Sequence, residues 1–165
     1  GKGGNGYISA TFYTPGGDTP LHADMKKHVY AKGLGGGDVG RIGEVLYTRG
    51  MLNHVFVIEA IRNAQDHFNV KIPNGAQMQW AFEHMNVTAA DWERIGLPGF
   101  PPISISCNDH EGGHPVLFQQ WNASAKTWKV ISDWVPVMTD LVRPLMEADA
   151  AKFAKENKIT PKSCS

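Results

Sequence analysis

The stretch 107–134 constrains this chain more than any other part of it. Residues 116–121 alternate between two faces, as a pleated strand with a period of two requires. Residues 127–134 are rich in β-branched and aromatic residues, and the five polar or small residues 122–126 separate the two runs. Two such runs with a short polar connection between them predict a β-hairpin.

The loop before this hairpin is dense in groups that can bind metal or act in catalysis. It contains Cys107, Asp109, His110, Glu111 and His114. Zinc accepts thiolate and imidazole ligands, so one hypothesis is a small metal-dependent enzyme that uses Cys107, His110 and His114. A glycine-rich loop does not preorganise a tetrahedral site, and a turn held by the side chains of Asp109 and His110 explains the same residues. We therefore favour the turn.

Neither enzymatic activity nor a cofactor is expected. A nucleophile pair of Cys107 and His110 would need an oriented base and an oxyanion site, and no motif in the sequence supplies them. The glycine-rich segment 33–43 lacks the Gly-Lys-Ser/Thr ending of a phosphate-binding loop and follows a helical pattern instead of a strand. It is predicted to be a connection between two helices.

Composition and charge exclude several classes of partner. The chain has 165 residues, the size of one domain, and its 16 basic residues balance 16 acidic ones. No net field would attract nucleic acid, so no nucleic-acid partner is expected. No apolar run approaches the roughly 20 residues that a membrane-spanning helix needs. The two cysteines, Cys107 and Cys164, are compatible with one disulfide or with two unrelated thiols, and their spacing leaves both possibilities open.

The remaining periodicity predicts an α/β fold in which helices pack on a sheet. The predicted elements are a buried strand 7–13, a helix 20–32 capped by Asp18 or Thr19, a long helix 44–67, a shorter helix 77–85, a turn capped by Thr88, a strand 103–107 and a helix from Pro144 to about Lys158. The long helix has a wide apolar arc that includes Leu46, Val57 and Ala60, which predicts burial on more than one side. A sheet with so few strands would leave part of that apolar arc exposed. The chain therefore looks like part of a larger domain.

Several short motifs occur in an order that points to a known family. They are Tyr47-Thr48-Arg49-Gly50, Val57-x-Glu59-Ala60-Ile61-Arg62, Cys107-x-Asp109-His110-x-Gly112-Gly113, Gln119-Gln120-Trp121 and residues 128–134 (WKVISDW). Together they resemble the C-terminal part of type I periplasmic solute-binding proteins, of the branched-chain amino acid ABC transporter type. The resemblance extends over residues 6–134.

The resemblance implies part of a two-lobed type I periplasmic binding fold, with the hairpin near the hinge. Residues 1–14 would be the last strand of the second lobe and a crossing segment, and residues 15–102 the helical part of the first lobe. Residues 103–135 would form the hinge-proximal strands and hairpin, and residues 136–165 the C-terminal helix and tail.

The function implied by the resemblance is that of a periplasmic, extracytoplasmic component of an ABC importer. It would bind an amino acid, or an aromatic or aliphatic carboxylate, as two lobes close. Its partners would be this ligand, the membrane permease of the transporter and the missing N-terminal part of the same protein. A structural fragment without a ligand of its own is the further alternative.

The ligand contacts expected on this basis are Tyr13, Tyr47 and Arg49. Tyr13 would end a strand at a crossing, and the other two lie in the first turns of the long helix, where an anionic group is favoured. Alternatively, the tyrosines pack in the hinge and Arg49 pairs with Glu44 or Glu83. The resemblance also favours a disulfide between Cys107 and Cys164.

Overall fold

A computed structural model describes residues 2–113 and 115–164 of the chain. In chain order its elements are β1 (Ile8–Thr11), α1 (Pro20–His28), α2 (Val45–Phe68), α3 (Gly75–Glu83), β2 (Asn86–Val87), α4 (Ala89–Ile95), β3 (Ile103–Ser104), β4 (Leu117–Asn122), β5 (Thr127–Val130) and α5 (Thr139–Glu156). The described strands form one sheet in the order β1-β4-β5 and a second sheet in which β2 pairs with β3. The predicted mixture of helices and sheet is confirmed. Nothing in the described residues supports the finer prediction of a type I periplasmic binding fold.

The predicted hairpin is present. Strands β4 and β5 pair antiparallel, with Trp121 opposite Trp128, and the two indole rings are 5.3 Å apart. The buried face of β4 carries Leu117 and Gln119. Because β1 pairs with the other edge of β4, the N-terminal strand is joined to a hairpin more than 100 residues later in the chain.

The prediction of a buried strand over residues 7–13 is wrong in length and in burial. Strand β1 covers only Ile8–Thr11, and the side chains of Tyr7, Ile8 and Phe12 are mostly exposed. The strand lies at the edge of its sheet and has β4 as its single described neighbour. The apolar run indicated a strand correctly but could not show what would cover it.

The helix starts follow the capping residues of the sequence. Thr19 accepts a hydrogen bond from the backbone N–H of His22 at the start of α1, after which Pro20 is tolerated in the first turn. Thr88 and Asp91 form a reciprocal capping box at the start of α4. The predictions of Thr19 and Thr88 as N-caps are thereby confirmed.

The core lies between α2, α3 and α4. Leu52, Val55, Ala60 and Ala64 of α2 pack in a cluster with buried residues that include Trp92. Ala60 and Ala64 are fully buried, so α2 and α3 can approach closely. The Trp92 side chain is fully buried as well, and its Nε1–H donates to the carbonyl oxygen of Pro101 at 2.7 Å.

The predicted burial of α2 on more than one side is confirmed in part. Leu46 is 70% exposed and Val57 is also largely exposed. The five buried residues span about half of the helix circumference; they are Thr48, Leu52, Val55, Ala60 and Ala64. The apolar arc is as wide as the sequence indicates, but the described residues cover only part of it.

The connection between α1 and α2 brings two glycines into contact. Gly43 adopts a φ of 94°, which favours glycine, and a Cβ at this position would collide with the backbone of Gly17. Gly50, inside α2, has open space around its ideal Cβ position. The turn before α2 therefore requires a glycine at position 43, whereas the helix does not require one at position 50.

The last helix departs furthest from its predicted form. It begins at Thr139 and includes Pro144, although the sequence was expected to start a helix near that proline. Because Pro144 lies in the second turn, it removes one intrahelical hydrogen bond. None of the residues of α5 is buried.

Candidate functional site

Two of the three predicted ligand contacts, Tyr13 and Arg49, meet where the segment after β1 contacts the start of α2. Tyr13 is buried, and its hydroxyl group donates to the carbonyl oxygen of Val45 at 2.6 Å. Burial raises the pKa of Tyr13, and this effect outweighs the nearby Arg49, whose charge and hydrogen bond lower it. Tyr13 is therefore a neutral phenol that ties the strand to the helix.

The third predicted contact, Tyr47, has different neighbours. Its ring centroid is 6.4 Å from that of His22. Burial, together with a hydrogen bond to Tyr30, raises the pKa of Tyr47 to about 12. Tyr47 therefore packs towards α1, and only Tyr13 and Arg49 are brought together.

The alternative pairing of Arg49 with Glu44 or Glu83 differs from the ion pairs observed. Glu44 lies 2.8 Å from Nη2 of Arg41. Glu83 lies 2.6 Å from Nζ of Lys162. Both carboxylates thus have other cationic partners, while the side chain of Arg49 interacts with the Tyr13 hydroxyl.

His22 was not identified from the sequence, although it links α1 to α2. The residue is 1% exposed, and its Nδ1 lies 2.7 Å from Oγ1 of Thr19. On the other side of the ring, Nε2 lies 3.2 Å from Oγ1 of Thr48. Burial and, to a smaller extent, the charge of Lys26 lower the pKa of His22. A neutral imidazole with a hydroxyl group at each nitrogen is therefore a structural link.

A cavity of about 380 Å³ lies between the turn at residues 15–17, the start of α2 and the hairpin. Its polar and aromatic lining includes Thr11, Tyr13, Glu44, Gln119, Lys126 and Trp128. The lining thus combines apolar surface, a carboxylate and an ammonium group around one space. Cavities of this size and composition suit a small molecule with both polar and apolar parts.

Gln119 gives this cavity its most specific chemical property. The residue is 5% exposed, and within the described part of the chain its Oε1 is a buried side-chain oxygen without a hydrogen-bond partner. An acceptor left unpaired in this way costs about 1–3 kcal/mol. One sequence signal indicates that Gln119 is buried: the alternation of β4 places it on the same face as Leu117.

The loop that first suggested a metal centre is instead a braced turn. Cys107 and Cys164 are joined by a disulfide, with their Cα atoms 5.5 Å apart. Asp109 accepts hydrogen bonds from the backbone N–H groups of Glu111 and Gly112, and its Oδ2 lies 2.7 Å from Nη2 of Arg143. The carboxylate therefore holds the turn and anchors α5.

The hypothesis of a small metal-dependent enzyme that uses Cys107, His110 and His114 is wrong. Cys107 has no free thiolate because it is disulfide-bonded, and Nε2 of His110 lies 3.7 Å from a carboxylate oxygen of Glu83. His114 lies outside the described residues. Over residues 2–113 and 115–164, no group of three or more His, Cys, Asp and Glu side chains could hold a metal ion.

Comparison with known proteins gives one solved structure of strong similarity. It is described as an ABC transporter permease from the Pseudomonas fluorescens group, with 34% sequence identity and a TM-score of 0.86. The match covers 98% of this chain and 39% of that chain, so this chain spans about two fifths of that protein's length. No family model matches the sequence, and no curated protein matches it significantly.

This match contradicts the proposed membership of the type I periplasmic solute-binding proteins. The similar protein is described as a permease, and the solute-binding and periplasmic assignments conflict with that description. Across the described residues, no helix has the length and apolar character needed to cross a membrane. The part of the earlier interpretation that the comparison supports is an association with ABC transporters.

Proposed function

We propose that this chain works in an ABC transporter as one portion of a longer protein. The observation that carries the proposal is the similarity of 98% of the chain to a protein described as an ABC transporter permease, at 34% identity. The same match leaves about three fifths of that protein without a counterpart here.

Exposed apolar side chains support the proposal that this chain is one portion of a longer protein. Leu46 and Ile58 of α2, Ile8 of β1 and Leu145 of α5 are all more than half exposed. Single exposed apolar residues are ordinary, but several on different elements favour contacts with further protein. The missing N-terminal part anticipated from the sequence would supply such contacts.

Affinity purification from the source organism tests the role in transport. The native protein would be tagged at its chromosomal locus, extracted in mild detergent and analysed by mass spectrometry. We expect a co-purifying subunit with the G-x-x-x-x-G-K-[ST] loop of an ATP-binding cassette. A tagged cell-envelope protein of unrelated function is the control. Recovery of the tagged protein without any such subunit would count against the proposal.

The cavity beside Gln119 favours a second and narrower proposal, that this chain contacts a small molecule. Gln119 lines this cavity, and its unpaired Oε1, which is buried, would accept a hydrogen bond from a ligand N–H or O–H group once the side chain turns into the cavity, while Trp128 offers apolar surface. Lys126 and Glu44 line the same space and would favour a ligand with polar or charged ends. Tyr13 lines the cavity, and Tyr13, Arg49 and Tyr47 stay predicted contacts.

A thermal-shift screen tests the ligand proposal directly. The probes would be polyols, primary amides, amino acids and aliphatic and aromatic carboxylates, because a bound ligand raises Tm with its concentration. Gln119→Met should abolish the shift given by an active probe class. Gln120→Met, on the opposite face of β4, is the matched control and should preserve it. A shift that survives Gln119→Met, or no shift with any class, would exclude this role for the cavity.

A further inference from the structure

The helix α5 is the least covered element of the described chain. It runs over 18 residues from Thr139 to Glu156, and none of them is buried. Leu145 is 64% exposed and Phe153 is 60% exposed, and Leu141 and the preceding Met138 are exposed to a similar extent. Most helical stability in proteins comes from packing of an apolar face, so this helix lacks its usual support.

The two sides of α5 differ in what they contact. Successive residues of a helix are rotated by about 100°, which places Leu145 and Phe153 on a different side from Arg143. Arg143 is one of the few half-buried residues of the helix, and it donates to the carbonyl oxygen of Asn108 and pairs with Asp109. The side with Arg143 thus faces the loop, whereas Leu145 lies on the opposite side of the helix.

The helix is held in place at both ends despite this exposure. The Arg143 pair fixes its first half to the turn at Asp109. After the helix, Lys162 pairs with Glu83, and Cys164 is bonded to Cys107. A tethered helix presents its apolar face in one orientation, which lowers the entropic cost of docking.

A shallow groove continues this face towards the loop. It has a volume of about 230 Å³ and is lined mainly by Met138, Val142 and Met146 on the helix side, with Asp109 and Glu111 on the loop side. Methionine side chains are flexible and adapt to different partner surfaces. The apolar face, defined here as Met138, Leu141, Val142, Leu145, Met146 and Phe153, therefore has the features of an interface.

We propose that the apolar face of α5 docks onto the portion of the longer protein that this chain does not include. This inference rests on the proposed function, since the occupant is the unmatched part of a protein like the Pseudomonas fluorescens group permease. Roughly three fifths of such a protein is available to cover the helix.

A second copy of the chain is a poorer occupant. Asp149, Lys152 and Glu156 interrupt the apolar face in the second half of the helix. An antiparallel, two-fold symmetric pair would place these charges against the apolar first half of the partner helix. Burying unpaired charges in this way is costly, so a symmetric pair is disfavoured.

Cysteine labelling tests the docking surface in the native protein. Leu145→Cys places a thiol on the apolar face, and Ala151→Cys places a matched thiol on another side of the same exposed helix. Each variant would be introduced at the chromosomal locus, and its reaction with a maleimide would be compared between the native protein and the same protein unfolded in urea, where both thiols are accessible. We expect labelling at position 145 to be at least about tenfold slower in the native protein, with position 151 unchanged.

Three results would overturn the proposal. Equal labelling at both positions in the native protein would show that the face is free. A native protein of only 18.1 kDa would show that no further portion exists. Slow labelling at position 145 in a native protein that sediments as a dimer, restored at concentrations where the dimer dissociates, would assign the face to a second copy. Capture of an ATP-binding subunit is measured independently, so a failed transport role and a failed docking surface are distinguishable.

Discussion

Removal of the disulfide between Cys107 and Cys164 should be the most destabilising change outside the core. The bridge spans a sequence separation of 57 residues, and the chain-entropy model assigns such a closure about 4 kcal/mol. Among the contacts that would still hold this region, the pair of Arg143 and Asp109 is partly exposed, so solvent screens it and it contributes little. The surviving contacts therefore cannot compensate for the lost bridge.

Equilibrium unfolding in urea measures this effect on the double variant Cys107→Ala/Cys164→Ala. We expect a loss of about 3–4 kcal/mol in the free energy of unfolding, or about 10 °C in Tm for a chain of this size. A reductant should lower the stability of the wild type by a similar amount and leave the double variant unchanged. A loss below about 1 kcal/mol would refute the argument, because the bridge would then constrain little of the unfolded chain.

Four further substitutions test the packing of the fold. Gly43→Ala should destabilise the protein by about 1–3 kcal/mol because its Cβ would strike the backbone of Gly17, whereas Gly50→Ala should stabilise α2 by about 0.5–1 kcal/mol. Trp92→Phe should cost about 1–3 kcal/mol, since it leaves a backbone carbonyl without its donor. His22 has a lowered pKa in the fold, so the unfolded chain takes up its proton first as the pH falls. Stability should therefore decrease below about pH 6.5 by up to about 1.4 kcal/mol per pH unit, and His22→Gln should flatten this dependence.

Each of these predictions has a result that contradicts it. Equal effects of alanine at positions 43 and 50 in urea unfolding would remove the argument from backbone contact. An unchanged stability of Trp92→Phe would mean that its indole hydrogen bond contributes nothing net. A pH profile that is identical for wild type and His22→Gln would show that another group titrates in this range.

Local features of the fold were predictable because they depend on neighbouring residues. Thr19 and Thr88 satisfy free backbone N–H groups of the helices that follow them, and this requirement is visible in the sequence. The hairpin of β4 and β5 was equally predictable from two β-rich runs and one polar connection. These predictions depend on short-range chemistry, and the structure confirmed them.

Burial was predicted less well because periodicity does not say what covers an apolar face. Ile8, Leu46 and Leu145 all lie in apolar patterns, and all are exposed in the described structure. If the longer protein covers them, the patterns were correct and the covering residues lie outside this chain. The errors in burial and the proposed docking surface would then have one physical origin.

The candidate site was the least predictable part. Gln119 appeared as an ordinary member of an alternating strand, and its unpaired oxygen depends on contacts between elements distant in sequence. The cluster around Cys107 suggested metal chemistry because residue types alone do not reveal a disulfide partner 57 residues away. Enzymatic activity and cellular location stay predictions that the structure and the comparisons do not address.

ATP hydrolysis by the affinity-purified native assembly tests the central claim most directly. If this chain works in an ABC transporter, ATPase activity will elute with the tag. It will be lost when the P-loop lysine of the captured subunit is substituted, since that lysine contacts the nucleotide phosphates. Activity no greater than that from an untagged strain, with the tagged protein fully recovered, would contradict a role in an ABC transporter.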